Sequence, residues 1–357
     1  VNNDSESRLD HSSNDVFDFD YLVFIGRFQP FHFGHESVIS AALARSRQVI
    51  VLIGSAFLPR STRNAFSYDE RVRMILAAFN ADDAKRIHCV PLNDCLYNDT
   101  RWVVHVQQSV ASVVDIESKK NAKARIGLIG HSKDKTSYYL SLFPHWPSVP
   151  VENYQGISAT PIRESYLLGA MPQPDRVPES TSKLLAEFKK TSAYALLQEE
   201  AWFIDTYRKQ WERSPYPPTF VTVDAVVVQS GHILLVERKA MPGRGLWALP
   251  GGFIGERETL VDACIRELRE ETRLKVPDPV LRGSLHGERS FDDPYRSARG
   301  RTITHAFYFA LKNDPEGLPR VKGGDDAKSA FWVPLANVTP DLLYEDHYAI
   351  MNEMIGL

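Results

Sequence analysis

Cysteine is scarce in this chain: Cys89, Cys95 and Cys264 are the three among 357 residues. They share no metal-finger spacing and cannot all pair, which excludes a disulfide framework and points to a reducing compartment, the cytoplasm. No apolar run approaches the roughly 20 residues that span a bilayer. The opening VNNDSESRLDHSSND lacks the plan of a signal peptide, so neither membrane nor export is expected. Basic charge is not in surplus either. With 42 Lys+Arg against 45 Asp+Glu the net charge is −3 at pH 7, and no stretch reads as a recognition helix, so nucleic acid is not an expected partner. What is present is globular: 43% hydrophobic and 24% charged residues, in a chain too long for one ordinary domain.

Residues 1–20 are polar without an apolar period and read as a flexible tail. From Tyr21, β-rich runs (YLVFIGRF, QVIVLIGS, RIHCVPL, ARIGLIG, SVPVENY) alternate with helical ones (HESVISAALARSR, SYDERVRMILAAFN, RWVVHVQQSVASVVDI). Unbroken apolar strands separated by helices argue for an α/β domain, a Rossmann-like parallel sheet covered on both faces, over residues 21–180. Ligands of such sheets bind beyond the carboxyl ends of the strands, here after Phe24, Ile53 and Ile129. Residues 181–217 read as a helical linker, from TSKLLAEFKK to a sharp stop at SPYPP. Residues 218–357 restart with alternating β-type residues around the turn signal SGH, the mark of a mixed α+β domain.

Two constellations carry chemistry. GRFQPFHFGH, Gly26 to His35, follows a strand and opens a helix. Gly26 lets the chain turn closely under a ligand, and Gly34 lets backbone approach it. His32 and His35, three apart, can face one object at a helix start whose free N–H groups favour phosphate. ISATPIRE, Ile157 to Glu164, adds Ser158 and Thr160 hydroxyls at a second helix start and the guanidinium fork of Arg163. The other constellation, GFIGERETLVDACIRELREETRL, runs from Gly252 to Leu274. Helical offsets put Glu267, Glu270 and Glu271 on one side, an oxygen set suited to a hard divalent cation or else a solvated acidic face. Arg266 can pair with Glu258 across the turn. Leu260, Cys264 and Leu268 supply a buried stripe, so the acidic face is expected to point outward, with Cys264 as a small core residue.

The first pair of motifs resembles the nucleotidylyltransferase superfamily in its archaeal-type nicotinamide mononucleotide (NMN) adenylyltransferase form, over roughly Tyr21 to Gly169. The resemblance implies Mg2+-assisted transfer of an adenylyl group from ATP to NMN, giving NAD and pyrophosphate. It implies that His32, His35, Ser158 and Arg163 contact ATP phosphates, that Arg27 bridges phosphates with Phe28 beside it in the ATP site, and that Gly130 and His131 line the adenosine site. Trp102 falls where that family stacks the nicotinamide ring; a core aromatic is the other reading. A CTP or phosphopantetheine transferase is a rival, which GRFQPFH and Trp102 disfavour.

The second constellation resembles the Nudix box, carried by Gly252, Glu258, Arg266, Glu267, Leu268, Glu270 and Glu271. Arg273 departs from it, standing where that family has glycine, a residue that helps the helix exit through a left-handed turn. The resemblance implies Mg2+ or Mn2+ held by Glu267, Glu270 and Glu271, and attack of water on a nucleoside diphosphate derivative. Arg238, Arg244 and Trp247 before the box suit a purine-ribose diphosphate, or are ordinary surface. Asp325 or Asp326 could complete the metal site. The two halves together resemble bifunctional bacterial adenylyltransferase–Nudix proteins, which implies ADP-ribose, cleaved to AMP and ribose 5-phosphate, as second substrate. A Nudix half that senses its ligand without cutting it is the alternative, which the intact glutamates disfavour. Self-association is left open.

Overall fold

The computed structural model describes residues 17–117, 124–131 and 141–356. The first sheet comprises β1 (Phe19–Gly26), β2 (Ser46–Ile53), β3 (Ile87–Pro91), β4 (Ile126–His131) and β5 (Ser148–Val151). All pairings are parallel, in the order β3-β2-β1-β4-β5. Parallel neighbours need crossovers; they contain α1 (Phe33–Arg45), α2 (Tyr68–Leu76), α3 (Ala81–Ala84) and α4 (Asp99–Glu117). Both faces of the central strands are buried, Leu22, Phe24, Val49 and Val51 in one core, Tyr21, Val23, Ile50 and Leu52 in the other. That is why these strands read as unbroken apolar runs. The connections change direction between β1 and β4, which opens a crevice at their carboxyl ends.

α5 (Ala159–Leu167) follows β5. The stretch expected as one linker helix is instead two, α6 (Glu179–Phe188) and α7 (Ser192–Lys209). Thr191 divides them, its hydroxyl accepting from Tyr194 N at 3.2 Å to cap α7. Leu185, Phe188, Tyr194 and Leu197 pack into the first sheet's core beside Phe66 and Tyr166, so these helices are part of that core.

The second sheet contains β6 (Phe220–Gln229), β7 (His232–Arg238), β8 (Trp247–Ala248), β9 (Gly251–Phe253), β10 (Leu285–Phe291), β11 (Thr302–Ala310) and β12 (Ala327–Pro334). Its main path is β10-β11-β6-β7-β12, parallel at β11/β6 and antiparallel elsewhere. Ser230 and Gly231, both at positive φ (48° and 70°), close the β6–β7 hairpin, the geometry a two-residue turn requires. α8 (Leu260–Thr272) lays Ala263, Cys264 and Leu268 against Val223, Ala225 and Phe307. α9 (Asp278–Gly283) follows, and α10 (His347–Ile355) covers the other core with Ile350 and Met351. The three cysteines are free. Among the described residues no helix is long and apolar enough to cross a membrane.

Candidate active sites

GRFQPFHFGH crosses the carboxyl edge of the first sheet from β1 into α1. His32 is the extended residue preceding α1, and its ring stacks on His35 with centroids 3.6 Å apart. Gly34 permits this, since a Cβ there would lie 3.0 Å from His32 Cε1. Phe28 and Phe31 pack on the His35 ring at 4.8 and 5.7 Å. ISATPIRE meets the same loop. From α5, Arg163 donates through Nη1 to the Gln29 carbonyl (2.8 Å), 134 residues away in sequence, and through Nε to the Thr62 carbonyl (2.9 Å).

The crevice is rich in guanidinium groups. Burial, then repulsion from Arg63 and Arg163, pulls Arg27 down to about 10, and burial does the same to Arg71 and Arg163. All three stay charged at neutral pH, with the Asp94 carboxylate facing Arg27 and Arg71. Packed cations of this kind gain from a polyanion such as a triphosphate.

The other expected site residues lie on the motif loop, at the start of α5, on α4 and at the end of β4. The space beside Gly26 is filled by the Phe28 ring, with Cζ 2.9 Å from where a Cβ would stand, so the missing side chain leaves room for an aromatic residue. Phe28, expected in the ATP site, is 1% exposed and edge-on to Phe24 at 5.3 Å, and so supports His35 from beneath. Ser158 occupies the position before α5 without a capping bond, and it and Thr160 are exposed. Trp102, half-buried in the first turn of α4, meets Phe143 edge-on at 6.1 Å. Gly130 is buried at the end of β4; the side chain of His131 lies outside the described residues.

Two organising residues escaped the sequence reading. Gln29 donates to Asn64 Oδ1 (2.5 Å) and the Phe66 carbonyl (2.8 Å) and accepts from Phe66 N (2.9 Å), pinning the 61–66 loop to the histidine motif. Arg71 donates to the carbonyls of Ser67, Arg27, Gly54 and Ser55, joining the ends of β1 and β2.

In the second domain Thr259 caps α8, its hydroxyl accepting from Asp262 N at 3.3 Å. Arg266 grips Glu258 through Nε (3.0 Å) and Nη2 (2.7 Å), tying loop to helix, and its Nη1 reaches Glu267 (2.7 Å) and Glu270 (3.0 Å). Gly252 makes room for Glu267, whose Cδ would lie 2.7 Å from a Cβ there. Glu271 accepts from Gly251 N at 3.0 Å. It is buried, which corrects the expectation of an outward acidic face: α8 leans this edge on β9, where the N–H of Gly251 takes Glu271 and Gly252 leaves space for Glu267. Burial foremost, with the charges of Glu267 and Asp224, pushes the Glu271 carboxyl up to about 8, and burial raises Glu267 too.

Carboxylates crowded together in a partly buried place are what a hard divalent cation relieves, and the donors are all oxygen. Among the described residues no three acidic, histidine or cysteine side chains already converge as a cage; Arg266 draws Glu267 and Glu270 to itself. Of the two aspartates, Asp325 is the one whose charge bears on Glu267, while Asp326 presents its carbonyl to Lys239 N (3.1 Å). Arg273 adopts the left-handed conformation itself (φ 53°, ψ 25°), its N–H donating to the Arg269 carbonyl at 2.9 Å, so the helix exits as a glycine would allow. Arg244 is drawn away to Glu199 on α7 (2.8 and 3.1 Å). Trp247 packs edge-on to Phe331 at 5.0 Å, and the Arg238 guanidinium lies 4.1 Å over the Tyr344 ring.

Comparison with known proteins finds a separate family match in each half of the chain. Residues 23–165 match the cytidylyltransferase-like family model, and residues 218–354 match the NUDIX domain model. A nicotinamide/nicotinic acid mononucleotide adenylyltransferase of Acinetobacter baylyi is 45% identical over 186 residues, 52% of this chain and 95% of that protein. The crystal structure of a bifunctional NMN adenylyltransferase/ADP ribose pyrophosphatase from Francisella tularensis superposes with a TM-score of 0.86 at 37% identity, covering 95% of this chain and 99% of the other. The Francisella structure complexed with AMP and a Mn ion gives 0.85 at 36% identity, over 95% and 99% of the two chains.

Proposed function

Because this chain belongs to the family of bifunctional NMN adenylyltransferase/ADP-ribose pyrophosphatases, we propose that it catalyses two reactions, one at each sheet, with the division between domains after α7. The observation that carries the first is the meeting of the histidine motif with ISATPIRE in a crevice crowded with arginines. There an oxygen of the NMN phosphate attacks the α-phosphorus of ATP, the bond from that phosphorus to the bridging oxygen breaks, and pyrophosphate leaves. No protein nucleophile is needed; positioning and charge stabilisation suffice. His32 and His35 donate to the phosphate oxygens at the start of α1. Arg27 and Arg163 answer the charge that grows on pyrophosphate, Ser158 and Thr160 offer hydroxyls from the start of α5, and Gly130 lines the adenosine side. Trp102 offers its face to the nicotinamide ring.

In the second reaction ADP-ribose is hydrolysed to AMP and ribose 5-phosphate. Glu267, Glu270 and Glu271 would hold a divalent cation, Mg2+ or Mn2+, which when bound activates water and screens phosphate charge. Arg266 orders the loop through Glu258, Gly252 gives Glu267 its place, and Asp325 adds a carboxylate opposite Glu267. Arg238 is the arginine retained beside this acidic group, since its charge bears on Glu271. The test offers the purified chain NMN with ATP, and separately ADP-ribose, each with Mg2+ or Mn2+, and identifies products by chromatography. Failure to form NAD and pyrophosphate refutes the first assignment; intact ADP-ribose refutes the second.

A further inference from the structure

The loop between β3 and α4 borders the first site yet is anchored in the second domain. At its start Asp94 accepts from Ser55 N (2.9 Å) and Ser55 Oγ (2.5 Å), beside the arginine crevice. Tyr97, at φ 71°, then turns out of the first domain. Its phenol donates to Asp346 Oδ2 at 2.6 Å, and its ring meets Phe291 edge-on at 4.9 Å. Asp346 is held by Arg296 in a two-pronged pair at 2.9 Å each, with side chains 2% and 4% exposed, so the tyrosine docks on a rigid and desolvated partner. Asn98 faces both domains at once. Its Oδ1 accepts from Arg101 N (3.0 Å) and its carbonyl from Trp102 N (3.0 Å), which caps α4. Its Nδ2 donates to Glu353 on α10 (3.2 Å), itself fixed by Arg289 (2.8 Å).

We propose that the second domain sets the geometry of the NMN end of the first site, with Tyr97 and Asn98 as the positioning residues that place the first turn of α4 and Trp102. This rests on the adenylyl-transfer reading above. Neither residue needs to touch substrate. Asp346 and Glu353 fix where α4 begins, and the indole four residues after its cap inherits that placement.

The test uses the full chain with two variants. Tyr97→Phe keeps the ring on Phe291 and deletes the bond to Asp346. Asn98→Asp keeps an oxygen to cap α4 but replaces the donor to Glu353 with a like charge. Both are expected to raise the KM for NMN about tenfold, the loss of a charge-assisted bond acting through position, with the KM for ATP and the hydrolysis of ADP-ribose within twofold of wild type. Hydrogen exchange at the amides of Arg101 and Trp102 is expected to quicken in both. An unchanged KM for NMN, a proportional rise for ATP, or unchanged exchange overturns the proposal. If the wild type makes no dinucleotide, the adenylyl-transfer reading fails by itself, and exchange still decides whether the second domain positions α4.

Discussion

Replacing Gly252 with alanine tests the second site at its tightest point. The new methyl would stand 2.7 Å from Glu267 Cδ and Oε2 and 2.8 Å from Oε1, where ordinary contact needs about 3.5–4 Å. Roughly 1 Å must therefore be found. The strand cannot readily yield it, because β9 is paired to β6 at Val223–Gly252. The carboxylate moves instead, and Arg266 Nη1, already 2.7 Å away, holds it in its new place. A displacement of about 1 Å at a catalytic group costs about 100-fold in rate. Stability moves much less. Overpacking costs about 1–3 kcal/mol, and restricting the unfolded chain returns about 0.4–1 kcal/mol, a net loss of about 1 kcal/mol. The assay is the initial rate of ADP-ribose hydrolysis across a metal titration, with adenylyl transfer as internal control. Hydrolysis within threefold of wild type at every metal concentration, in a folded variant, would refute the placement of Glu267 in the cage.

His35→Ala should lower adenylyl transfer by about 100- to 1,000-fold, as expected for losing a preorganised donor to phosphate, while ADP-ribose hydrolysis stays near wild type; NAD formation at the wild-type rate would remove His35 from the site. Arg273→Gly should raise the melting temperature, because a left-handed conformation costs a non-glycine residue about 1 kcal/mol and the arginine side chain is exposed; a drop would mean that its side chain holds the neighbouring loop. His347 is buried, and that burial lowers it from 6.5 to about 3 while its Nδ1 accepts from Leu249 N at 3.0 Å. Since the unfolded chain takes up the proton first, stability is intact above pH 6.5 and is lost as pH falls toward 3, by about 2 kcal/mol at pH 5. Denaturant melts from pH 7 to 5 should show this loss, and His347→Asn should flatten it.

Much of the architecture is legible locally. Parallel strands buried on both faces must be apolar throughout, and β1 and β2 are. Helical spacing also suffices to bring Arg266 to Glu258, because both lie within one turn-and-helix unit. Spacing says which residues share a face, however, and not what that face meets. Glu271 therefore read as solvated although the N–H of Gly251 on β9 receives it. Phe28 shows a related limit: its place beneath the His35 ring and its φ of 54° are not written in its side chain. Arg244 read equally as a ligand group or as surface because Glu199, its partner, sits 45 residues earlier on another element.

One local signal was available and went unused. Arg71 falls on the buried side of α2 with Met74 and Ile75, and Glu200 on the buried side of α7 with Leu197 and Ile204. A charge at an apolar phase must find partners or be excluded. Its sign tells what kind: Arg71 gathers four main-chain carbonyls at the ends of β1 and β2. Glu200 gathers main-chain donors, Thr62 N from the first domain (3.3 Å) and Gly243 N from the second (3.1 Å). Burial raises its carboxyl, and these two N–H groups oppose the rise. A carboxylate on the core side of α7 thus marks where the helix joins the two domains. The partners, at separations of 138 and 43 residues, emerge only when the chain is folded.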